Sequence, residues 1–295
     1  MAELIIDAHQ HFWDPDKGDY GWMSGPAAPL RRIFGPDDLR PELAAAGVSA
    51  TVLVQTWASL DETRAFLELA AATDFIAGVV GWVDLTAPDV SDVLGALKAR
   101  PDGHYLVGIR HQVHDEPDPA WLLRDDVKRG LKAVERHGLV YDLLLRPREL
   151  PAALQTVRAF PELRFVIDHI AKPDIAGGRL DEWSAPMRPF LAEASHVWCK
   201  LSGLATQANW RRWAPCDLQP FVNETVRIFG ACRCLYGSDW PVCLLAGSYT
   251  RILEALKQTI APLTPGEREY ILARSAIELY GLQVAGAERP TSVSV

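Results

Sequence analysis

The sequence has no excess of positive charge and no long run of apolar residues. Lysine and arginine total 30 against 38 acidic residues, a net charge of −8, whereas binding to nucleic acid phosphates depends on a basic surface. No apolar segment approaches the roughly 20 residues of a membrane-spanning helix. The first residues, MAELIIDAHQH, lack the basic and apolar regions of a signal peptide. These absences predict a cytoplasmic protein that binds neither nucleic acid nor membrane.

Three short motifs of well-known sites are also missing. None of the five cysteines forms a C-x-x-C pair. Cys199, Cys232, Cys234 and Cys243 lie in or near apolar segments, so we expect buried, reduced thiols, as in a reducing cytoplasm. No glycine-rich phosphate turn is present, which argues against a doubly wound nucleotide-binding sheet. The segment YGSD at 236–239 lacks the second glycine of a G-x-S-x-G nucleophile elbow.

What the sequence does contain is a short apolar segment that recurs eight times, with amphipathic segments such as 125–138 and 217–230 between the repeats. The predicted strands are 4–10, 50–57, 75–82, 106–112, 140–146, 164–170, 197–203 and 234–240. Strands that alternate with helices form a parallel sheet, and strands this apolar are covered on both faces. Eight such units over about 250 residues predict an α/β fold, a single-domain (β/α)8 TIM barrel.

The end of the chain fits this organisation. Thr264, Pro265 and Glu267 have the pattern of a helix N-terminus with a capping box, and the helix is expected to stop at Gly281. The residues beyond it have no periodic pattern. We therefore predict one barrel domain over 1–282 and a loose tail over 283–295.

Each predicted strand ends in a polar or aromatic side chain. Barrel active sites lie at the carboxyl ends of the strands, and strand 8 closes beside strand 1. Side chains from strands 1, 6 and 8 should therefore meet, and period-two alternation places Asp7 on the same face as the two histidines of strand 1. The expected cluster is His9, His11, His169 and Asp239.

Three imidazoles and one carboxylate allow two kinds of chemistry. They suit zinc or a similar ion. They equally suit catalysis without a metal, in which imidazoles polarise a carbonyl group while the carboxylate takes a proton from water. The residues alone leave both alternatives open.

Four segments, DAHQHFW, IDHIAKP, KLSG and YGSDWPV, resemble the amidohydrolase superfamily. GWVDL, GIRHQVHDE and GSDWPVCLLAGSY resemble its sugar-lactonase branch, of the L-fuconolactonase and L-rhamnonolactonase type, and the resemblance extends over about residues 4–282. It implies a reaction centre built from the cluster above. It also implies that this centre can hold one divalent metal ion, with zinc preferred, and that turnover need not require the metal. Predicted strands 4 and 5 lack the bridging lysine or glutamate and the further histidine of many relatives, so a two-metal site is not expected.

The reaction that this resemblance implies is hydrolysis of an aldonolactone such as L-fucono- or L-rhamnonolactone. Asp239 would activate water and return the proton to the ring oxygen, while the histidines or a metal stabilise the oxyanion. Few cations lie at the strand ends, which favours a neutral lactone as the small-molecule partner. Assembly with copies of the same chain is left open. The predicted substrate-binding residues are Arg110, His111, Gln112, Lys200, Trp22, Trp82 and Trp240.

Each of these residues also has a structural interpretation. The polar residues of strand 4 could form ion pairs with Asp115 or Glu116, Lys200 could form a buried salt bridge, and the tryptophans could be packing residues. Arg146 is expected to lie past the mouth of the barrel. His104, His114, His137 and His196 are expected to be structural or surface histidines.

The sequence is also compatible with two rival functions. One is a metal-dependent decarboxylase of an unsaturated or aromatic acid, which the wider superfamily also contains. The other is a barrel that binds a sugar acid without catalysis. Both lack a use for a water-activating carboxylate beside carbonyl-polarising histidines, so hydrolysis is the preferred prediction.

Overall fold

A computed structural model describes residues 3–18, 20–193 and 195–285, and all eight predicted strands are present in it. Every strand pairs in parallel with the next one along the chain. The ring closes where Gln10 pairs with Trp240 and where the Asp239 N–H donates to the His9 carbonyl at 2.8 Å. The predicted (β/α)8 barrel is confirmed. Its strands are β1 (Ile6–Gln10), β2 (Ala50–Val54), β3 (Ile76–Gly81), β4 (Leu106–His111), β5 (Val140–Leu143), β6 (Phe165–Ile167), β7 (Val197–Leu201) and β8 (Cys234–Tyr236).

Helices surround the strands, and the two helices named from the sequence are confirmed as α4 and α8. The described residues contain no helix long and apolar enough to cross a membrane. The helices are α1 (Pro36–Ala46), α2 (Leu60–Ala72), α3 (Val90–Lys98), α4 (Asp125–Arg136), α5 (Leu150–Ala159), α6 (Leu180–Met187), α7 (Leu204–Gln207), α8 (Pro215–Phe229), α9 (Tyr249–Ile260), α10 (Pro265–Glu269) and α11 (Ser275–Tyr280). Short 3-10 turns lie at Gly25–Leu30, Gly103–Tyr105, Val113–Asp115, Trp121–Leu123, Pro147–Glu149, Arg188–Glu193, Ala231–Arg233 and Val242–Leu245.

The last helical segment begins and ends as the sequence predicts. The Thr264 side chain accepts from the Glu267 N–H, and the Glu267 carboxylate accepts from the Thr264 N–H at 2.8 Å. A π-helical turn over Tyr270–Arg274 joins α10 to α11, and Gly281 ends the helix at a φ of 67°. Of the predicted tail, residues 286–295 lie outside the described part of the chain.

The interior of the barrel has an apolar half and a charged half. The amino-terminal half is filled by aliphatic side chains, including Ile6, Val52, Val80, Val140, Val166 and Leu235. Towards the carboxyl ends of the strands, four charged residues point inward, namely Arg110, Asp142, Asp168 and Lys200, and none is more than 3% exposed. Two cations thus face two carboxylates, so the buried charges balance, as a water-poor interior requires.

The alternation expected along β1 is interrupted. Ile6 and Ala8 pack in the barrel interior, whereas the Asp7 carboxylate accepts from the Tyr249 hydroxyl on α9 at 2.9 Å and from the Ser238 N–H at 2.8 Å. The register between β1 and β2 shifts between Asp7 and Gln10, which turns His9 inward. The prediction that Asp7 shares a face with the histidines is therefore wrong. A bulge breaks the period of two, and Asp7 braces the backbone before Asp239 instead.

The cysteines are free, and three of the four expected to be buried are buried. Cys199, Cys234 and Cys243 lie in the core, whereas Cys232 is exposed. The expectation for Cys232 is corrected because this residue belongs to a 3-10 turn before β8 and not to the strand.

Candidate active site

The four predicted catalytic residues converge at the carboxyl-terminal mouth of the barrel. The Nε2 atoms of His11, His9 and His169 lie 3.4, 3.9 and 3.9 Å from Oδ1 of Asp239. None of the four residues is more than 5% exposed. One ligand atom each from His9, His169 and Asp239 lies within 4.8 Å of the others. We call these four residues the catalytic cluster.

An unusual backbone turn presents His169 to the cluster. His169, Ile170, Ala171 and Lys172 all have φ between 46° and 58°, the left-handed region. Each such residue costs about 1–2 kcal/mol, so the surrounding structure must hold the turn. The Trp183 indole N–H donates to the Ile170 carbonyl at 2.7 Å, and the Lys172 N–H donates to the His169 carbonyl at 2.8 Å. Strain of this kind is characteristic of functional sites.

Two glycines leave room for the imidazoles. A Cβ atom on Gly203 would lie 2.7 Å from Nδ1 of His169, and one on Gly237 would lie 2.6 Å from Cβ of His9. Real Cβ atoms do not approach other atoms this closely. The glycines of the KLSG and YGSD segments therefore allow two cluster histidines to pack against the backbone.

The second nitrogen of each histidine has its own partner. Nδ1 of His11 lies 2.8 Å from the Val54 carbonyl, and Nδ1 of His169 lies 2.9 Å from the Ser202 hydroxyl. Nδ1 of His9 faces Lys200 Nζ at 3.1 Å and Asp168 Oδ1 at 3.4 Å. These contacts fix each ring so that its Nε2 points at Asp239, as in many metal sites.

Burial keeps the cluster histidines neutral. It lowers the pKa of His9 and His11 and lowers the pKa of His169 to about 4. Burial by itself would raise the pKa of Asp239, but His169 and His11 outweigh it and hold that pKa below its ordinary value. At neutral pH the cluster therefore consists of three neutral imidazoles and one carboxylate.

The donor set of the cluster fits a cation. The Val54 carbonyl can only accept, so Nδ1 of His11 carries the proton and its Nε2 presents a lone pair. That lone pair faces Nε2 of His9 at 3.2 Å and Oδ1 of Asp239 at 3.4 Å. Electron-rich atoms this close are stabilised by a positive charge between them, and imidazole and carboxylate ligands suit zinc.

Arg110 supplies positive charge at the same place. Its Nη1 lies 3.2 Å from Nε2 of His9 and 3.0 Å from Asp168, and its other N–H groups bond to Gln55. Gln112 lies alongside and donates to the Thr56 carbonyl at 2.8 Å. Arg110 therefore forms part of the floor of the cleft, held by a carboxylate and an amide.

A cleft with two lobes opens above the cluster, and its lobes measure about 310 and 250 Å³. Both lobes contact Trp22, His169, Lys172, Asp239 and Val242. The first lobe is also lined by His11, Trp13, Thr56, Arg110, Gln112, His114, Asp115, Leu144 and Arg146, and the second by Ala27, Thr206, Gln207, Trp210 and Leu245. A cavity of about 500 Å³ lies at the other end of the barrel, but it contains none of the cluster residues.

Three of the predicted substrate-binding residues, Trp22, Arg110 and Gln112, line this cleft. Lys200 does not, because it is fully buried below the cluster and bonds to Asp142 at 2.6 Å. Its structural interpretation, a buried salt bridge, is the one that the structure supports. An ammonium with two carboxylate partners has no access to a ligand in the cleft.

Three aromatic predictions are corrected in the same way. His111 accepts from the Trp82 indole at 3.1 Å, contacts Glu116 at 2.8 Å and stacks on Trp121. Both His111 and Trp82 therefore form a packed side wall and are not among the residues that line the cleft. Trp240 is buried against Phe12 and Phe34 and belongs to the core.

Sequence reasoning missed three polar residues of the cleft. Arg146 lines the first lobe although it was expected past the mouth, and His114 lines it although it was expected to be structural. Lys172 contacts both lobes. Its position three residues after His169 was the available signal, and the left-handed turn places both side chains in one cleft.

Comparisons with known proteins identify the family of this chain. The sequence matches the amidohydrolase family over residues 6–282. An L-fucono-1,5-lactonase of Burkholderia ambifaria is 42% identical over 247 residues, 83% of this chain and 82% of that relative. An L-fucono-1,5-lactonase of Burkholderia multivorans is 36% identical over 293 residues, 96% of this chain and 97% of that relative.

A solved structure extends the similarity to the fold. The crystal structure of an amidohydrolase from Burkholderia multivorans with bound zinc has a TM-score of 0.88 and 36% identity. The alignment covers 95% of this chain and 100% of that one.

Proposed function

This chain belongs to the amidohydrolase family, and from that premise we propose that it hydrolyses the lactone ring of a sugar acid to the open aldonate. The proposed substrate class is an aldonolactone of the L-fucono- or L-rhamnonolactone type. One observation carries the proposal, the ionised Asp239 carboxylate that faces three neutral histidines at the floor of an open cleft. Two lactonase relatives at 36 and 42% identity support it.

Asp239 acts as the general base in this proposal. Its carboxylate is ionised at neutral pH, lines both lobes of the cleft and can accept a proton from a water molecule that attacks the lactone carbonyl. The same proton then passes to the ring oxygen as the carbon–oxygen bond breaks. The left-handed conformation of Asp239, with φ of 58°, directs its side chain into the cleft.

Positive charge beside Asp239 stabilises the oxyanion that forms during attack. Arg110 lies 3.2 Å from Nε2 of His9 and supplies one such charge from the floor of the cleft. His9, His169 and Asp239 would hold a zinc ion, with His11 beside them. When bound, that ion would polarise the carbonyl group as a Lewis acid.

The walls of the cleft suit a sugar ring. Trp22 is 47% exposed and contacts both lobes, so its indole can pack against the apolar face of a sugar. Gln112 in the first lobe and Gln207 in the second offer amide groups to ring hydroxyls. Lys172 and Arg146 make the cleft more cationic than the sequence predicts, and the carboxylate of the product is compatible with them.

Decarboxylation of an unsaturated or aromatic acid explains the site less well. That reaction needs no attacking water, so it gives Asp239 no role as a base. Binding of a sugar acid without catalysis does not explain why Nε2 of His11 faces Nε2 of His9 and the carboxylate of Asp239. Lactone hydrolysis uses both features.

The test is proton release from a panel of aldonolactones, namely L-fucono-, L-rhamnono-, L-galactono- and D-arabinonolactone. We expect turnover of at least one of them, and Asp239→Asn should lower kcat by about 10²-fold or more because the base is lost. Asp16→Asn, on an exposed loop, is the matched control and should keep full activity. No turnover of any lactone by the wild type, or undiminished turnover by Asp239→Asn, would contradict the proposal.

A further inference from the structure

Lys172 lies where the two lobes of the cleft meet, and the chemical steps described above do not use it. Its side chain lines both lobes together with Asp239. It is half-buried, and within the described residues no carboxylate lies within 4.0 Å of its ammonium group. A partly buried cation without a carboxylate partner is unfavourable unless a ligand compensates it. The position of Lys172 therefore points to a function in the cleft.

A histidine holds the ammonium in place. Lys172 Nζ lies 3.2 Å from Nδ1 of His114, and Nε2 of His114 lies 3.3 Å from Oδ2 of Asp115. A carboxylate can only accept, so Nε2 carries the proton of the neutral ring and Nδ1 accepts from Lys172. Burial and the charge of Lys172 lower the pKa of His114 to about 2, which keeps the ring neutral. We call these three residues the lysine relay.

The lysine relay leaves most of the ammonium free for a ligand. An ammonium group has three N–H donors, and His114 accepts one of them. Within the described residues no other side chain is bonded to this ammonium, so two donors remain for atoms in the cleft that Asp239 also lines. A lysine side chain has about 2 kcal/mol of rotamer entropy, and the contact with His114 limits that freedom before a ligand arrives.

The backbone also places Lys172 beside the cluster. Lys172 is the last of the four left-handed residues that begin at His169, and its own φ is 51°. The turn directs both His169 and Lys172 to the same cleft.

We propose that Lys172 is a catalytic residue of the lactone hydrolysis proposed above, and that His114 and Asp115 are its positioning residues. The Lys172 ammonium donates hydrogen bonds to the oxygens of the lactone group and stabilises the negative charge that forms on them. The water oxygen bonds to the carbonyl carbon and gives a proton to Asp239. The ring carbon–oxygen bond then breaks, its electron pair goes to the ring oxygen, and that oxygen takes the proton from Asp239. Lys172 keeps its own proton throughout.

The first experiment compares Lys172→Met and Lys172→Arg with the wild type on the lactone that the wild type hydrolyses fastest. Lys172→Met keeps the unbranched shape of the side chain and removes only its ammonium group, so kcat should fall by about 10²-fold, the usual effect of a lost oxyanion donor. Lys172→Arg keeps the charge and should retain more activity. The matched control, Lys257→Met on α9, removes a lysine that pairs with Glu3 on the outside of the barrel and should behave as wild type.

Chemical rescue separates the charge of Lys172 from its packing. Lys172→Cys treated with 2-bromoethylamine regains an ammonium group at nearly the same position, and kcat should recover at least tenfold. Wild-type protein treated in parallel reports alkylation of the exposed Cys216 and Cys232. Equal rates before and after treatment, with thermal unfolding unchanged, would overturn the proposal.

The second experiment tests the positioning role of His114. His114→Leu removes the acceptor for Lys172, whereas His114→Gln replaces Nδ1 with an amide oxygen. We expect His114→Leu to lower kcat about tenfold with a smaller change in KM, and His114→Gln to restore most of that loss. Equal losses in the two variants would show a merely structural role. A wild-type protein without lactonase activity would refute the proposed function, whereas an active Lys172→Met refutes only this inference.

Discussion

At the scale of single residues, the geometry of the catalytic cluster depends on glycines that leave room for its histidines. Gly203 has a φ of 63°, and a Cβ atom at this position would lie 2.7 Å from Nδ1 of His169. Any larger residue would displace the imidazole or break its contact with Ser202. A displacement of about 1 Å at a reacting group can cost about 10²-fold in rate.

Gly203→Ala should therefore lower kcat by at least tenfold. Gly138→Ala is the matched control, because Gly138 has a similar φ of 68° but open space where a Cβ would lie. Both variants carry the backbone cost of a left-handed alanine, about 1 kcal/mol. Only Gly203→Ala also pushes on His169. Initial rates and urea unfolding measured on both variants separate the two effects, and equal rates in the two would contradict the packing argument.

The residues that sequence reasoning identified and missed differ in a physical way. His9, His11, His169 and Asp239 could be found because each follows a strongly apolar strand, and the barrel topology brings those strand ends together. Lys172 and His114 could not be found in this way. Their placement depends on a left-handed turn and on a loop after β4, and neither leaves a periodic signal in the sequence.

At the scale of elements, α11 packs against the amino-terminal end of the barrel, and its Tyr280 reaches the charged half of the barrel interior. The Tyr280 hydroxyl lies 3.0 and 2.9 Å from the two oxygens of Asp142, which also bonds to Lys200. Burial raises the pKa of Asp142 to about 6 despite that lysine. Each hydrogen-bond donor to such a buried carboxylate therefore contributes to the stability of the fold.

Tyr280→Phe should lower the free energy of unfolding by about 1–3 kcal/mol, the cost of leaving a buried acceptor short of a donor. Tyr270→Phe in the adjoining π-helical turn is the control, since the Tyr270 ring packs under Arg274 and its hydroxyl bonds to no buried carboxylate among the described residues. Chemical denaturation of both variants measures the difference. Equal stability of the two would mean that Asp142 finds another donor.

The buried ion pair between β5 and β7 allows a second test at this scale. Lys200→Met leaves Asp142 and Asp168 without the ammonium that lies 2.6 and 3.0 Å from them. Breaking a buried ion pair on one side costs about 3–5 kcal/mol, so urea unfolding should show a loss of that size. Lys128→Met on α4, where the lysine is half-exposed, is the control. Little loss of stability together with a raised KM would instead favour the contact with substrate that the sequence predicted.

The elements themselves were more predictable than their ends. All eight strands appear because buried parallel strands are continuous apolar segments. Each is shorter than its predicted segment, in most cases because the polar residues at the carboxyl end of the segment already belong to the loop. The shift in register on β1 was not predictable from alternation. It moves Asp7 out of the cluster and turns His9 into it.

At the scale of the whole molecule, the barrel brings residues more than 200 positions apart into the catalytic cluster, so an ion that binds there should stabilise the entire fold. A ligand that binds only the folded state raises the free energy of unfolding by about 2.7 kcal/mol at 100 times its Kd. Unfolding of the barrel separates His9 from Asp239, which lie 3.9 Å apart in the fold. Metal binding by the cluster would therefore require the folded chain.

We expect zinc added to chelator-treated protein to raise Tm by about 5 °C or more, since each kcal/mol corresponds to roughly 2–4 °C in a domain near this size. Magnesium should raise Tm much less, because it prefers oxygen ligands and the cluster offers mainly imidazole nitrogen. Asp239→Asn and His169→Asn should each abolish most of the zinc shift, whereas Asp16→Asn should leave it intact. Differential scanning calorimetry on the four proteins gives the answer without any assay of activity. An equal zinc shift in all four would place the ion outside the cluster, and no shift in the wild type would leave Arg110 as the cation that the cluster uses.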